Sequence, residues 1–545
     1  MQYTKKYKAA YQEKKRVVFL SRLFFVLLYG LAAFRTRIHI RLNAMFKNFT
    51  GFNLVEQMHR LRHNKRFNPL KLKRKSIGLL FVFAVFLLLW FLPTESFGLE
   101  GLTQIQQRII AIFVYATLMW VMELVPAWAT SVSIIVLLLL FTSDSGVKWI
   151  CNPETAGQLL SYKQVMASFA DPVVMLFIGG FILAIATTKA GLDVHLARVL
   201  LTPFGKKSEN ILLGFMLVTA LFSMFISNTA TTAMMLTFLT PVFKQLPEAG
   251  KGRTAMALSI PVAANLGGMG TPIGTPPNTI ALKYLNDSEG LNMGIGFGQW
   301  MLFMVPLVIV LILIAWIILK KVFPFSQKTI ELQIDGEMKR GRRTTLIIVT
   351  LVVTILLWMM DTVTGINTYT VALIPFAVFA MAGIITKYDL EEINWSVIWM
   401  VAGGFALGYA MNGSGLAALV IRAIPFGDFS PVLIVILSGV ICYVLSNLIS
   451  HSATAALLMP ILVVVCTAMG DKLAAIGGPT TVLIGVAIAS SSAMILPIST
   501  PPNALAYATN LVQQKDMARM GVIVGILSIL LGYLALIAAR ALHIV

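Results

Sequence analysis

The sequence predicts an all-α polytopic membrane protein, with about eleven transmembrane helices and two re-entrant hairpins in an inverted repeat. Three observations lead there. The 545 residues are 58% hydrophobic and 12% charged, with a mean hydropathy of +0.83, whereas a soluble domain carries about 25% charged residues. Continuous apolar runs such as 77–92, 109–120 and 296–319 approach the roughly 20 residues that a helix needs to cross hydrocarbon. They do not alternate in character, which excludes a transmembrane barrel. The third observation is a set of polar and Gly/Pro motifs that occurs twice, in the same order.

Residues 1–75 hold 19 of the 43 Lys and Arg and only two acids, Glu13 and Glu56, and so supply most of the net charge of +20. No nucleic-acid-binding motif accompanies them, so the segment reads as a basic cytoplasmic or interfacial extension facing anionic lipid, without a nucleic-acid partner. Within it, 17–34 either crosses the bilayer or lies in the interface. Arg22 near its middle would cost about 2.5–3.5 kcal/mol in a span and favours the interface. The N-terminus is thus expected inside an integral plasma (inner) membrane protein. Cys151, Cys442 and Cys466 are too scattered for a disulfide framework or a Cys-based metal site.

With the basic segment inside, 77–92 runs outward, 109–126 returns and 130–141 goes out again. Residues 142–170 are then outside and 173–201 runs inward, which places Lys189, Arg198, Lys206 and Lys207 on the basic side. Lys244, Lys251 and Arg253 stay inside only if 211–243 is a re-entrant hairpin. A basic linker, 320–344, then separates a first half (76–319) from a second (345–545) whose hairpin is expected at 432–466.

Gly179-Gly180-Phe181 and Gly191-Leu192 recur as Gly403-Gly404-Phe405 and Gly415-Leu416, at an offset of 224. Ser227-Asn228-Thr229-Ala230-Thr231 recurs as Ser450-His451-Ser452-Ala453-Thr454 at 223, and Thr275-Pro276-Pro277-Asn278 as Thr500-Pro501-Pro502-Asn503 at 225. A fainter echo pairs Trp120 and Glu123 with Trp358 and Asp361. The halves enter the membrane from opposite faces, the inverted-repeat plan of secondary transporters.

The chemistry lies where helices must break. Small polar runs interrupt apolar sequence at the hairpin tips, and Pro276-Pro277 and Pro501-Pro502 leave backbone groups without helical partners. In hydrocarbon such groups cost several kcal/mol each unless protein, water or ligand satisfies them, so a polar cavity is implied. Freed carbonyls and hydroxyls suit a small hard cation, and amides at helix N-termini suit an anion. Taken singly, Ser/Thr in a membrane helix is a packing residue and Pro-Pro a kink; duplication favours the functional reading. Gly179 and Gly403 read as close helix packing, and Glu123 and Asp361 as caps or interface residues.

The doubled Ser-Asn-Thr-like and Thr-Pro-Pro-Asn motifs resemble those of the divalent anion/sodium symporters, the family of dicarboxylate, citrate and sulfate carriers, from about residue 109 to the C-terminus. The resemblance implies a sodium site using Ser223, Ser227 and Asn228 with carbonyls near Gly274. A second would use Ser446, Ser450 and position 451 with carbonyls near Ser499. Substrate carboxylates would meet Asn228, Thr229, Thr275 and Pro276 from one half, and His451, Ser452, Thr500 and Pro501 from the other. It further implies a homodimer, elevator-type alternating access, sodium as a coupling ion and no other cofactor.

The second motif departs from the pattern, reading Ser450-His451-Ser452. Imidazole is a poor sodium ligand, so His451 questions the second site. An imidazolium could replace the charge of that cation, or a neutral ring could donate to a substrate carboxylate with the ion elsewhere or absent. The function expected is secondary transport of small di- or tricarboxylates, cation-coupled or by exchange. Sulfate transport is the alternative, and an anion channel is less favoured because the halves converge on a closed centre. An enzyme is not expected, since no metal-ligand cluster, nucleophile elbow or phosphate loop is present.

Overall fold

The computed structural model describes residues 69–152, 157–248, 250–286, 291–332, 340–423 and 429–541. The segment 17–34 and nearly all of the basic extension lie outside them. By chain contacts the protein divides into Met1–Ser76 and Ile77–Val545, and the repeated motifs with nearly all of the described helices belong to the second unit.

The described residues are helical apart from turns and two isolated β-bridges. The first half runs α1 (Pro69–Phe91), α2 (Gln104–Val121), α3 (Ala127–Thr142), α4 (Tyr162–Ala167), α5 (Pro172–Ala190) and α6 (Leu192–Leu201). It continues with α7 (Ser208–Ser223), α8 (Asn228–Phe238), α9 (Thr240–Gln245), α10 (Lys251–Gly268), α11 (Pro276–Asn286) and α12 (Phe297–Val322). The second half comprises α13 (Arg342–Met359), α14 (Asp361–Thr364), α15 (Thr368–Met381), α16 (Trp395–Gly413), α17 (Leu416–Ala423), α18 (Pro431–Leu448) and α19 (His451–Met469). It ends with α20 (Gly478–Ser491), α21 (Pro501–Ala508) and α22 (Gln514–Ala541).

Helix boundaries follow local chemistry. Thr103 and Gln106 form a reciprocal capping box at the start of α2. Asp171 caps α5 by accepting from the Val173 amide at 2.9 Å, with Pro172 in the first helical position. The expected single span 173–201 is interrupted at Gly191, whose left-handed backbone separates α5 from α6. Its repeat mate Gly415 does the same between α16 and α17, and that pair bends by 66°. Both glycines satisfy the carbonyl-capping geometry of a helix C-terminus, which the apolar run alone conceals.

Six helices among the described residues are long and apolar enough to cross a membrane, or seven if α16 and α17 form one bent span; several shorter apolar helices accompany them. Two of the six, Pro431–Leu448 and His451–Ile476, fall where the sequence predicts the arms of the second hairpin.

The repeat reappears as contacts. Trp120 Nε1 donates to the carbonyl of Ala127, the first residue of α3, at 3.3 Å, and Trp358 Nε1 donates to that of Thr368, the first residue of α15, at 3.0 Å. A Cβ at Gly179 would collide with the Ala372 carbonyl on α15, and one at Gly403 with Ser131 on α3. Helices α5 and α16 therefore each use the first glycine of the pair to approach a neighbour closely, as small residues permit in membranes. Asp361 accepts from the amide of Phe297, the first residue of α12, at 2.6 Å. The described part of the linker is tied to the start of α7: Ser208 N donates to Lys328 O at 3.0 Å, Ile330 N to Lys206 O at 2.8 Å, and Lys206 pairs with Glu331 at 2.7 Å.

Candidate functional site at the converging helix breaks

Four breaks converge on one cavity of about 480 Å³: 224–227 between α7 and α8, 269–275 between α10 and α11, 449–450 between α18 and α19, and 492–500 between α20 and α21. Its wall contains Asn228, Thr229, Thr275, Pro276, His451, Ser452, Thr500 and Pro501, together with Ser227, Gly274, Ser450 and Ser499. Ser223 and Ser446 lie behind that wall, fully buried. Residues from both halves, more than 200 positions apart, thus face one space. The starts of α3 (Ala127, Trp128) and α16 (Asn394, Ser396) also line it, as do Phe177, Phe181, Phe225 and Asn265. Reading the sequence singles out none of these as a ligand. Asn265 has a visible signal, a carboxamide in the small and apolar stretch 255–268 of α10; the ends of α3 and α16 have none beyond ordinary capping residues.

No Lys, Arg, Asp or Glu is among the lining residues. The positive potential there comes instead from helix N-termini, since α3, α8, α11, α16, α19 and α21 all begin at the cavity. Each N-terminus carries the positive end of a helix dipole, but α11 and α21 open on Pro-Pro, which has no N–H, and their third amides pair with Thr275 and Thr500, so unpaired first-turn amides remain only at α3, α8, α16 and α19. The caps consume only part of this: Ser227 accepts from Ala230 N at 3.3 Å, Ser450 from Ala453 N at 3.2 Å, and Thr500 from Asn503 N at 3.1 Å. The remaining first-turn amides make an anion site without a buried formal charge.

The unwound stretches are held by the asparagine that closes each Thr-Pro-Pro-Asn motif. Asn278 Nδ2 points at the carbonyls of Gly268 (2.9 Å), Met269 (3.3 Å) and Thr271 (2.8 Å), and Asn503 Nδ2 at those of Met494 (2.8 Å) and Leu496 (3.1 Å). These side chains supply donors to carbonyls that the unwound stretches leave without helical partners. Across the repeat, Asn265 Nδ2 lies 3.3 Å from Thr500 Oγ1 and 3.4 Å from Asn503 Oδ1, which joins the halves. Asn265 Oδ1 is buried and has no hydrogen-bond partner among the described residues.

The breaks between α7 and α8 and between α18 and α19 differ. In the first, Ser223 Oγ lies 2.6 Å from Asn228 Oδ1 and 2.8 Å from the Ala264 carbonyl, and Thr271 donates to the Met224 carbonyl. The oxygen-only donor set around Ser223 and Asn228 fits a hard monovalent cation. In the second, Ser446 Oγ meets Ser490 Oγ at 3.1 Å, Ser490 Oγ donates to the His451 carbonyl at 2.9 Å, and His451 Nε2 meets the Ala493 carbonyl at 2.8 Å. Ser499 Oγ donates to the Asn447 carbonyl at 3.0 Å. The imidazole is therefore engaged with backbone through Nε2. Among the described residues no group of three or more His, Cys, Asp or Glu is placed to hold a metal ion, and the three cysteines are free and buried.

Comparison with known proteins gives consistent relationships. A sodium-dependent dicarboxylate transporter of Staphylococcus saprophyticus is 29% identical over 507 residues, covering 86% of this chain and 91% of the relative. One from Staphylococcus aureus strain RF122 is 30% identical over 521 residues, covering 88% and 94%. Among solved structures, the YdaH transporter of Alcanivorax borkumensis superposes with a TM-score of 0.52 at 14% identity, over 77% of this chain and 99% of that one, a likeness of fold alone. The family described as the sodium:sulfate symporter transmembrane region matches residues 73–542; this chain belongs to that family and is a membrane transporter rather than an enzyme.

Proposed function

We propose that the protein is a secondary transporter that moves small dicarboxylates across the plasma membrane together with sodium. The observation that carries this is the cavity: an uncharged wall of amides, hydroxyls and six helix N-termini, beside an oxygen cluster suited to sodium, at the meeting point of two repeats. Its size, about 480 Å³, lies in the range of organic ligand sites. Asn228, Thr229, Thr275 and Pro276 would take one carboxylate and His451, Ser452, Thr500 and Pro501 the other, through hydroxyls and the first-turn amides of α8 and α19, with the two prolines, which have no N–H, contributing shape alone. Ser223, Ser227, Asn228 and the backbone near Gly274 would hold the cation. Sodium-dependent dicarboxylate transporters at about 30% identity support both substrate and ion.

The inverted halves 76–319 and 345–545, joined by the 320–344 linker, would move the site by an elevator-type displacement. The broken helices form one set of elements at the cavity, and α3, α5 and α16 the facing set. A homodimer with a cytoplasmic N-terminus completes this reading. Energetics explain the need for a cation, since importing a dianion against 100 mV costs about 4.6 kcal/mol.

Uptake of radiolabelled succinate into proteoliposomes, with sodium, proton or counter-substrate gradients imposed separately, tests the proposal. Sodium-stimulated uptake, inhibited by other dicarboxylates and little by sulfate, is expected. Uptake indifferent to sodium overturns the coupling, and stronger competition by sulfate than by succinate overturns the substrate class.

A further inference from the structure

Hydrogen bonding at the two hairpin tips is chemically asymmetric. In the first half three oxygens, Ser223 Oγ, Asn228 Oδ1 and Ala264 O, lie within hydrogen-bond distance through Ser223. They share one hydrogen, the Ser223 hydroxyl proton. An amide oxygen and a carbonyl each have two lone pairs, so the cluster has an excess of acceptors and attracts a cation.

In the second half the matching positions are Ser446 and His451, each 223 residues on, while Ser490 and Ala493 stand 225 residues after Asn265 and Gly268. Here every hydrogen has its own acceptor. Ser446 donates to Ser490, Ser490 to the His451 carbonyl, and His451 Nε2, facing a carbonyl that can only accept, donates to Ala493. Three hydrogens fill this chain where the first tip has one, and one of them is carried by the side chain that stands in place of Asn228. Where Asn228 turns an oxygen inward, His451 turns an N–H inward. A cation approaching the Ala493 carbonyl would meet that N–H and have to displace it.

We infer that sodium binds only at the first-half tip, and that the His451 Nε2–H occupies the place in the second half that a second cation would need. The inference rests on the sodium-coupled reading above and deepens it by setting the number of ions at this pair of positions at one. His451 is then a positioning residue that fixes ion stoichiometry and keeps the second hairpin tip closed without a cation.

The test uses the full chain in detergent and in proteoliposomes. Equilibrium binding of radiolabelled sodium, at saturating succinate, is compared for wild type and His451→Asn. The variant is expected to bind one more sodium per chain and to show a steeper sodium dependence of uptake. Ser223→Ala should raise the half-saturating sodium concentration about tenfold in either background, the loss of one contact to a charged group. Ser446→Ala should alter the sodium response only in the His451→Asn background. Equal sodium stoichiometry in wild type and His451→Asn overturns the inference. So does a wild-type background in which Ser446→Ala weakens sodium as much as Ser223→Ala, a comparison that stands if His451→Asn does not fold. Absence of any sodium-stimulated uptake by wild type removes the underlying function as well, whereas sodium-driven uptake with two tip sites removes only the inference.

Discussion

Thr500 serves two neighbours at once: its Oγ1 accepts from the Asn503 amide at 3.1 Å and lies 3.3 Å from Asn265 Nδ2. Thr500→Val keeps the shape and deletes the acceptor, so a loss of about 1–2 kcal/mol is expected from the missing cap. Thr500→Ser should retain most of it. Thermal melting of the two variants in detergent separates cap chemistry from packing, because valine melting like serine would show that the cap is not used. Asn278 is more demanding, as its single amide group faces three carbonyls. Asn278→Leu should leave buried acceptors unpaired at about 1–3 kcal/mol each. It should depress succinate uptake more than any single hydroxyl deletion in the wall, as read by initial rates at matched reconstitution.

Between elements, charged side chains tie helices together both within the first half and across the two halves. Lys283, in the last turn of α11, pairs with Asp171, the cap of α5, and its ammonium lies 4.3 Å from the centre of the Phe405 ring on α16. Lys283→Met should remove both contacts and leave Asp171 part-buried without its cation, lowering stability by about 1–3 kcal/mol in a melting assay. The Lys189–Asp389 pair at 2.8 Å joins α5 to the segment before α16. Burial pushes the Asp389 carboxyl up, but hydrogen bonds from Lys189 and from the hydroxyl and amide of Thr386 outweigh it and hold the group below its ordinary value. Its stabilisation is therefore present above the unfolded value of about 4 and is lost as pH falls through the lower folded one. Wild type should lose melting temperature more steeply than Asp389→Asn below about pH 4; parallel profiles would show that the pair carries no such linkage.

For the whole molecule, the single tip sodium inferred above, carried with one dianion and no other cation, would move a net negative charge inward. An inside-negative potential of 100 mV should then oppose accumulation by about 2.3 kcal/mol, roughly fiftyfold. Potassium diffusion potentials set with valinomycin in proteoliposomes measure this directly. Faster uptake at inside-negative potential would require three or more sodium ions per dianion. Much of the architecture was legible because the bilayer tolerates so few solutions: uncharged apolar runs have to be helices, and proline pairs within them have to be breaks. The convergence of both breaks was foreshadowed by the repeat offsets, and Gly179 and Gly403 by their paired occurrence. The interruption at Gly191 was not legible, because a glycine that ends a helix and one that packs a helix look alike in an apolar run. Nor were Asn394 and Ser396 on the cavity wall, since their placement depends on helices remote in sequence. Apolarity and backbone stereochemistry are local, so the chain alone determined a helical membrane protein with duplicated polar gaps. Which acceptor each freed donor takes is decided between residues tens to hundreds apart, and only the packed helices settled that Asn228 shows an oxygen lone pair where His451 shows a hydrogen.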